Sequence, residues 1–427
     1  MRVLVIGSGG REHAICYAFS RSPRVSKIFC ANGNAGIAEI AECVAIRPDD
    51  VAALADFAVA NAIELTFVGG EIPLALGVVD EFESRGLRII GPSRDAARLE
   101  SSKAFAKDFM SRHGVPTAKY VAAHSPDFAI LELESGDFGD TSNPVVVKAD
   151  GLAAGKGVVV AQDRAEAIAA INGMADAVGT AATEKIVIEE CLSGKEISLL
   201  MFADGQNFAL MPPTRDHKRI SDGDTGPNTG GMGTITDASL LSESDTAAIV
   251  DQIVRPTLHG CAKEGFPFRG VLFLGLMMTA SGPQVLEYNV RFGDPETQSI
   301  LVRLETDLAD ICDAILSGSL ANGTINWRPG SSACVVLASA GYPGKVRTAD
   351  VINGLEEAAA IPEVKVFHAG TARNDTGQLI TAGGRVLGVT AVGPDLASAL
   401  DRVYSSVNKI SFEGMQYRRD IGWRALK

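Results

Sequence analysis

No stretch of this 427-residue chain is apolar for the roughly 18 residues that a membrane span needs. No apolar leader core forms either, since Val3–Ile6 runs at once into Arg11, Glu12 and His13, so no secretory signal is expected. Basic residues are in deficit: 39 against 52 acidic, a formal charge of −13. A general nucleic-acid or anionic-membrane binder wants the opposite sign, so neither partner is expected. The seven cysteines (16, 30, 43, 191, 261, 312, 334) form no Cys-x-x-Cys pair, and the six histidines no His-x-x-x-His. That spacing fits reduced thiols in a cytoplasmic protein, not a disulfide framework or a zinc knot. Oligomeric state is not legible, and nothing demands more than a monomer.

Glycine is in excess. The chain has 45, where usual composition gives roughly 30. The length suits about three domains. In the first ~100 residues, apolar runs at Val3–Ile6, Ile28–Cys30, Cys43–Ile46, Leu65–Val68 and Ile89–Ile90 alternate with helical stretches such as Asp49–Asn61 and Pro73–Arg85. This rhythm predicts a doubly wound parallel sheet, residues 1–103. A helix follows from about Ser102 to His113, stopped by Gly114. Strands at Pro144–Lys148, Gly157–Ala161 and Ile186–Glu190 surround a helix opened by Asp163 and Glu166. Turn signals at Asp204-Gly205 and Ser281-Gly282 predict antiparallel hairpins around Glu196–Phe202, Phe208–Met211, Gly270–Met278 and Gln284–Asn289. Thr214–Gly233 reads as a long polar loop, which is usually functional. A boundary near Asn326–Ser332 sets off a last α+β unit, 327–427.

The glycines cluster where backbone can approach a ligand. Gly7-Ser8-Gly9-Gly10-Arg11-Glu12 lies between a strand and a helix, where N–H groups and Arg11 suit a phosphate. A dinucleotide fingerprint wants a third glycine where Glu12 stands. A ligand-free tight turn is the plain alternative. Gly151-Leu152-Ala153-Ala154-Gly155-Lys156 is no Walker loop, having three residues between its glycines and no hydroxyl after its lysine. It reads as a flexible hairpin closing over phosphates, or as a mobile surface turn. Lys148 ends the apolar strand Val145-Val146-Val147, where an unpaired ammonium would be costly; a phosphate or a salt bridge would satisfy it. Ile186–Glu190 runs into Cys191 and Leu192, a strand edge that offers main-chain groups to a nucleobase, with Glu196 near for a hydroxyl; an ordinary charged turn reads equally well. Glu287 and Asn289 share one face of a strand and are hard ligands suited to Mg²⁺, or else partners in surface salt bridges.

Taken in order, these segments resemble the phosphoribosylamine–glycine ligase (glycinamide ribonucleotide synthetase) family of the ATP-grasp superfamily, essentially from Met1 to Lys427. The motifs are Gly9-Gly10-Arg11-Glu12-His13, Lys148 through Gly157, Asp216-His217-Lys218-Arg219, Asp224 through Gly233, Arg291 through Gln298 and Arg419-Asp420-Ile421-Gly422. Departures are local, at Asn32, Gly70, Ser101 and Thr234–Thr236, and remove no charged or metal-binding group.

The resemblance implies an ATP-grasp region at 104–326 with a mobile lid at about 120–190. It implies ligation of glycine to 5-phosphoribosylamine with ATP and Mg²⁺ or Mn²⁺, in purine synthesis. By it, Lys103, Lys148, Gly155 and Lys156 meet the ATP phosphates, and Glu189, Glu190, Cys191, Leu192 and Glu196 meet adenine and ribose. Glu287 and Asn289 hold the metal. Gly9, Gly10, Arg11, Glu12, Asn228, Thr229, Gly230 and Gly231 receive the amine substrate, and Arg291, Asp216 and Lys218 attend the chemistry. Rival readings are another carboxylate–amine ligase, a nicotinamide-dependent oxidoreductase and a non-catalytic ATP sensor.

Overall fold

Val3, Leu4, Val5 and Ile6 are wholly buried, as a strand covered on both faces requires. They lie in β1 (Arg2–Gly7), the middle of a parallel five-stranded sheet ordered β3-β2-β1-β4-β5. Its other strands are β2 (Lys27–Asn32), β3 (Glu42–Val44), β4 (Leu65–Val68) and β5 (Ile89–Ile90). β1 pairs with both β2 and β4, so the strand order reverses beside it. Ligands of open α/β sheets bind at the carboxyl end of such a point, and helix α1 (Gly10–Ser20) starts there. The expected helix over Pro73–Arg85 is two helices, Glu71–Ala75 and Val78–Ser84. Gly77 breaks it by taking φ 85°, a conformation open to glycine.

The computed structural model describes residues 1–152, 157–179, 183 and 185–426. Helix α2 (Lys103–Arg112) is capped by Ser102, which accepts the Phe105 N–H at 3.1 Å. Beyond it, β6 (Tyr120–Ala123), β7 (Val145–Ala149), β8 (Val158–Ala161) and β9 (Ile186–Glu190) form an antiparallel sheet ordered β6-β9-β7-β8. Helices α3 (Pro126–Glu134) and α4 (Arg164–Val178) pack on it. Leu133, Val145, Val147, Ile171, Ile186 and Ile188 give this lid a core separate from the two larger ones.

The largest sheet comes from β10 (Lys195–Asp204), β11 (Phe208–Leu210), β12 (Thr214–Asp216), β15 (Gly233–Thr236), β16 (Arg269–Thr279) and β17 (Gly282–Asn289). Both hairpin signals are met: β10 turns into β11, and β16 into β17. The polar segment Thr214–Gly233 is not the structureless loop expected. Its ends, β12 and β15, pair within the sheet, and its middle is a hairpin of β13 (Arg219–Ser221) and β14 (Thr225–Asn228). Gly223 at φ 72° and Asp224 at φ 56° make its turn. After α5 (Glu296–Leu301) the chain adds β18 (Ser331–Ala338), β19 (Val364–His368), β20 (Thr371–Arg373), β21 (Leu379–Thr381), β22 (Arg385–Gly393) and α6 (Leu396–Val407). β18 pairs with β15, so one nine-stranded sheet runs β17-β16-β10-β12-β15-β18-β22-β19, with β11 beside β10. The residues on either side of position 327 therefore share a backbone ladder. The α/β and α+β multidomain architecture expected from the sequence is the one observed.

A buried imidazole pair joins the first and last units. His13 on α1 accepts the His368 backbone N–H at Nδ1, 2.9 Å, with ring centroids 5.6 Å apart. Burial and the neighbouring His368 lower His13 to about 3, and burial with Arg373 lowers His368 to about 4. Both are neutral in the fold but would take up protons near pH 6.5 once unfolded. The unfolded state thus binds more protons below about pH 6.5, and stability falls as pH drops from there toward 4. Each imidazole contributes a slope of up to about 1.4 kcal/mol per pH unit. Urea unfolding at pH 7 and pH 5 should show a smaller loss for His13→Asn than for the natural chain. Equal losses would contradict this assignment.

Candidate active site

Alternation along β17 puts Glu287 and Asn289 on one face. Around Glu287 stand Lys103 from α2, Lys148 from β7, Lys218 between β12 and β13, and Arg291 beyond β17. Burial pushes the Glu287 carboxyl up, but these cations outweigh it and hold it below its ordinary range. Among the described residues no hydrogen-bond donor reaches that carboxylate. A charged oxygen pair left open amid cations suits a hard divalent ion shared with phosphates. Asn289 Oδ1 accepts from Arg291 at 3.2 Å. The described residues hold no cluster of three or more His, Cys, Asp or Glu placed for a metal, so most of such an ion's shell must come from phosphates and water.

Lys148 is not bare. Its ammonium lies 2.7 Å from Glu189 and donates to the Leu286 carbonyl at 3.1 Å. The other Glu189 oxygen is 2.8 Å from Lys107, which also donates to Thr117 at 2.7 Å. Burial brings Lys107 down to about 8 against the pull of Glu189. Lys107 escaped the sequence reading, although it sits four residues after Lys103, on the same helical face. Glu189 turns its side chain to these lysines, and its backbone is paired between β6 and β7, so the free strand edge expected at Ile186–Glu190 is instead an inner strand. Glu190, Cys191, Leu192 and Ser193 line a groove of about 470 Å³ opposite Thr117, Thr279–Ser281 and Gln284. Glu196 is taken by an ion pair with Lys218. Lys103 donates to the Gly151 carbonyl at 3.2 Å, while Asp150 caps α2 through the Ala104 N–H at 2.7 Å. The first amides of α2, beside Lys103, are therefore already served by Asp150. Gly155 and Lys156 lie outside the described residues.

At the other rim, Glu12 folds back onto the Gly9 N–H at 2.6 Å and pairs with Arg11. It fits because Gly7 and Gly69 lack side chains; a Cβ at either would sit 2.5 or 2.2 Å from it. The N–H a pyrophosphate would use is thus filled by the protein's own carboxylate, against the nicotinamide reading. Gly10 faces Gln298, where a Cβ would come within 2.6 Å. Arg11 reaches the Phe292 carbonyl at 3.0 Å. Arg291 is held by Glu100 at 2.6 Å and Glu71 at 3.4 Å.

Asp216 is a half-buried carboxyl raised by desolvation and by Glu296, and the buried Glu296 is likewise raised by burial. Gly231 leaves Asp216 open: a Cβ there would lie 2.7 Å from its oxygen. Arg385 ties this rim together, donating to the Gly230 carbonyl and pairing with Asp294 at 2.9 Å. Thr229 donates its N–H to the Lys218 carbonyl at 2.8 Å, and the Gly230 N–H goes to Tyr342 at 3.0 Å. Asn228 ends β14 just before them. Glu296 and Asp294 lay in a quoted motif without an assigned role, and Arg385 and Glu100 carried no local signal at all.

Three family models match the chain: the N domain of phosphoribosylglycinamide synthetase over residues 1–100, its ATP-grasp (A) domain over 101–297 and its C domain over 332–424. The chain belongs to the phosphoribosylglycinamide synthetase family. It is 48% identical over 431 residues to the phosphoribosylamine–glycine ligase of Pseudomonas aeruginosa, covering 100% of this chain and 98% of that one. The ligase of the same name from Caldanaerobacter subterraneus is 45% identical over 422 residues, with 99% of each chain covered. The crystal structure of the Thermotoga maritima phosphoribosylamine–glycine ligase superposes with a TM-score of 0.82 at 35% identity, over 99% of this chain and 100% of that one. The biotin carboxylase domain of Hydrogenobacter thermophilus 2-oxoglutarate carboxylase, solved with magnesium ADP, reaches 0.74 at 17% identity, over 97% and 91% of the two chains; this shows the fold alone.

In a synthetase of this family the lysine pair around Glu189 should govern nucleotide binding. A charge-assisted contact is worth about 1.5–3 kcal/mol. Calorimetric titration of Lys148→Ala with ATP should show affinity lowered at least ~10-fold. Unchanged affinity would remove Lys148 from the phosphate site.

Proposed function

We propose that this chain joins glycine to 5-phosphoribosylamine, converting ATP to ADP and phosphate and releasing glycinamide ribonucleotide for purine synthesis. The observation that carries the reading is the division of the site into two electrostatic halves bridged by Lys218. A cation cluster around Glu287 lies on one side, and the carboxyl pair of half-buried Asp216 and buried Glu296 on the other. The full-length kinship with ligases of that name supports it.

The cationic half takes the triphosphate. Lys103 and Lys148 neutralise it, and we assign Gly155 and Lys156, outside the described residues, to the same phosphates on the family resemblance. The groove at Glu190, Cys191 and Leu192 receives the adenine, beside Glu189 and its two lysines. Lys218 keeps Glu196 turned toward the ribose side. Glu287 and Asn289 would hold Mg²⁺ or Mn²⁺, which when bound adds charge neutralisation at the phosphates. Phosphoryl transfer needs mainly positioning and charge neutralisation, so no nucleophilic side chain is required.

The carboxyl half takes the amino acid. Two neighbouring carboxyls that Lys218 only partly offsets, and that no ion pair holds among the described residues, suit the ammonium of glycine, which would restore their charged forms. That orientation points the glycine carboxylate toward the cations. Its oxygen attacks the γ-phosphorus in line, ADP departs, and glycyl phosphate forms. Arg291 attends the charge on the transferred phosphate. Phosphoribosylamine enters beside Gly9, Gly10, Arg11 and Glu12, under Asn228–Gly231. Its nitrogen attacks the glycyl carbonyl, phosphate leaves, and the surplus amine proton goes to the departing phosphate. The reading includes a cytoplasmic location, which seven unpaired thiols suit.

Coupled ADP release measures this directly. It should require glycine and reach full rate only with phosphoribosylamine present. Release with alanine but not glycine would instead assign a different carboxylate–amine ligase, and release with neither substrate would overturn the reading.

A further inference from the structure

The hairpin β13–β14 has little to hold it. Ser221, Asp222, Gly223, Thr225, Gly226 and Pro227 are exposed, and a lone two-stranded hairpin is marginal in water. Yet it leads directly into Asn228–Gly231, the segment beside Asp216. What fixes it comes from the far end of the chain. The Arg418 side chain is fully buried, with 0% exposed. Its guanidinium grips both oxygens of Asp420 at 2.7 and 2.8 Å, Asp224 in the hairpin turn at 2.6 Å, and the Arg219 carbonyl at 3.2 Å.

The surrounding tail repeats the link. Asp420 accepts the Gly223 N–H at 2.8 Å, and Asp222 accepts the Arg419 N–H at 2.8 Å. Arg424 pairs with Asp224 at 2.7 Å. The Gly422 N–H donates to His217 Nε2 at 3.0 Å, and the other ring nitrogen of His217 is 3.0 Å from the Gly233 carbonyl. Tyr404 on α6 fastens the tail in turn, donating to the Arg418 carbonyl and accepting the Ile421 N–H, each at 3.0 Å.

We infer that Arg418 is a positioning residue: with Asp420 it clamps the β13–β14 hairpin so that Asn228–Gly231 is held over the acceptor side of the site, leaving the nucleotide side untouched. A guanidinium suits this because its planar fork bonds two carboxylates and a carbonyl at once, which an ammonium cannot do. Loss of the fork frees the hairpin beyond Lys218, whose side chain keeps its ion pair with Glu196, and Lys103, Lys148 and Glu189 stand on other elements.

The inference rests on the ligase reading for its kinetic arm only. Three variants test it: Arg418→Met, Arg418→Lys and Asp224→Asn. Asparagine tolerates the φ 56° of Asp224, so that variant removes charge without disturbing the turn and serves even where Arg418→Met fails to fold. Hydrogen exchange of the amides from 219 to 231 should accelerate at least ~10-fold in Arg418→Met and less in Asp224→Asn, with Arg418→Lys between the natural chain and Arg418→Met. KM for phosphoribosylamine should rise in the same order, while the ATP dissociation constant stays within about twofold. Unchanged exchange in all variants, or ATP affinity falling in step with the amine KM, would overturn the clamp. A natural chain inactive with glycine would sink the ligase reading, and the exchange arm would still decide the clamp.

Discussion

One carboxylate, Glu287, organises the charge of the site. The cations around it come from α2, β7, the start of the β13–β14 hairpin and the segment after β17. Like charges brought so close repel unless something opposes them, and burial strengthens that repulsion. Glu287 supplies the shared opposition. Three of the four cations then have a carboxylate anchor of their own: Lys148 has Glu189, Lys218 has Glu196, and Arg291 has Glu100 and Glu71, while Lys103 donates to the Gly151 carbonyl. Those anchors lie in the lid, the central sheet and the N-terminal unit. Charge pairing thus holds together parts whose apolar cores are partly separate.

The same logic accounts for the glycines. At Gly7, Gly69 and Gly231 the missing Cβ makes room for a carboxylate, Glu12 or Asp216, to reach its place. At Gly10 it makes room for Gln298. These glycines admit protein groups as much as ligands. At these four positions the glycine is a consequence of packing polar side chains tightly around a cleft.

The parallel sheet was legible because β1 and β4 are continuous apolar runs, which only a strand buried on both faces tolerates. The helix after Ser102 and the hairpins at Asp204 and Ser281 were legible because capping and turn chemistry are local. Glu287 and Asn289 showed through strand alternation. What stayed hidden depended on distant pairing. No periodicity marks the β13–β14 hairpin, since it is held by Arg418 about 200 residues away rather than by an apolar face. Lys107 reads as an ordinary helix residue until Glu189 is placed beside it. The family motifs located Glu12 and Lys148, but motif spacing could not show that Glu12 fills its own loop or that Lys148 already has a carboxylate partner.

On the proposed reading, Glu287 should oppose phosphate in the absence of a divalent ion and attract it through one. Titration of ATP into Glu287→Gln and the natural chain, with and without Mg²⁺, separates these effects. Without the ion, the variant should bind ATP more tightly than the natural chain, because four cations lose a competing carboxylate. With Mg²⁺ the order should reverse, the variant binding at least ~10-fold more weakly. Weaker binding by the variant under both conditions, or no difference under either, would contradict the account.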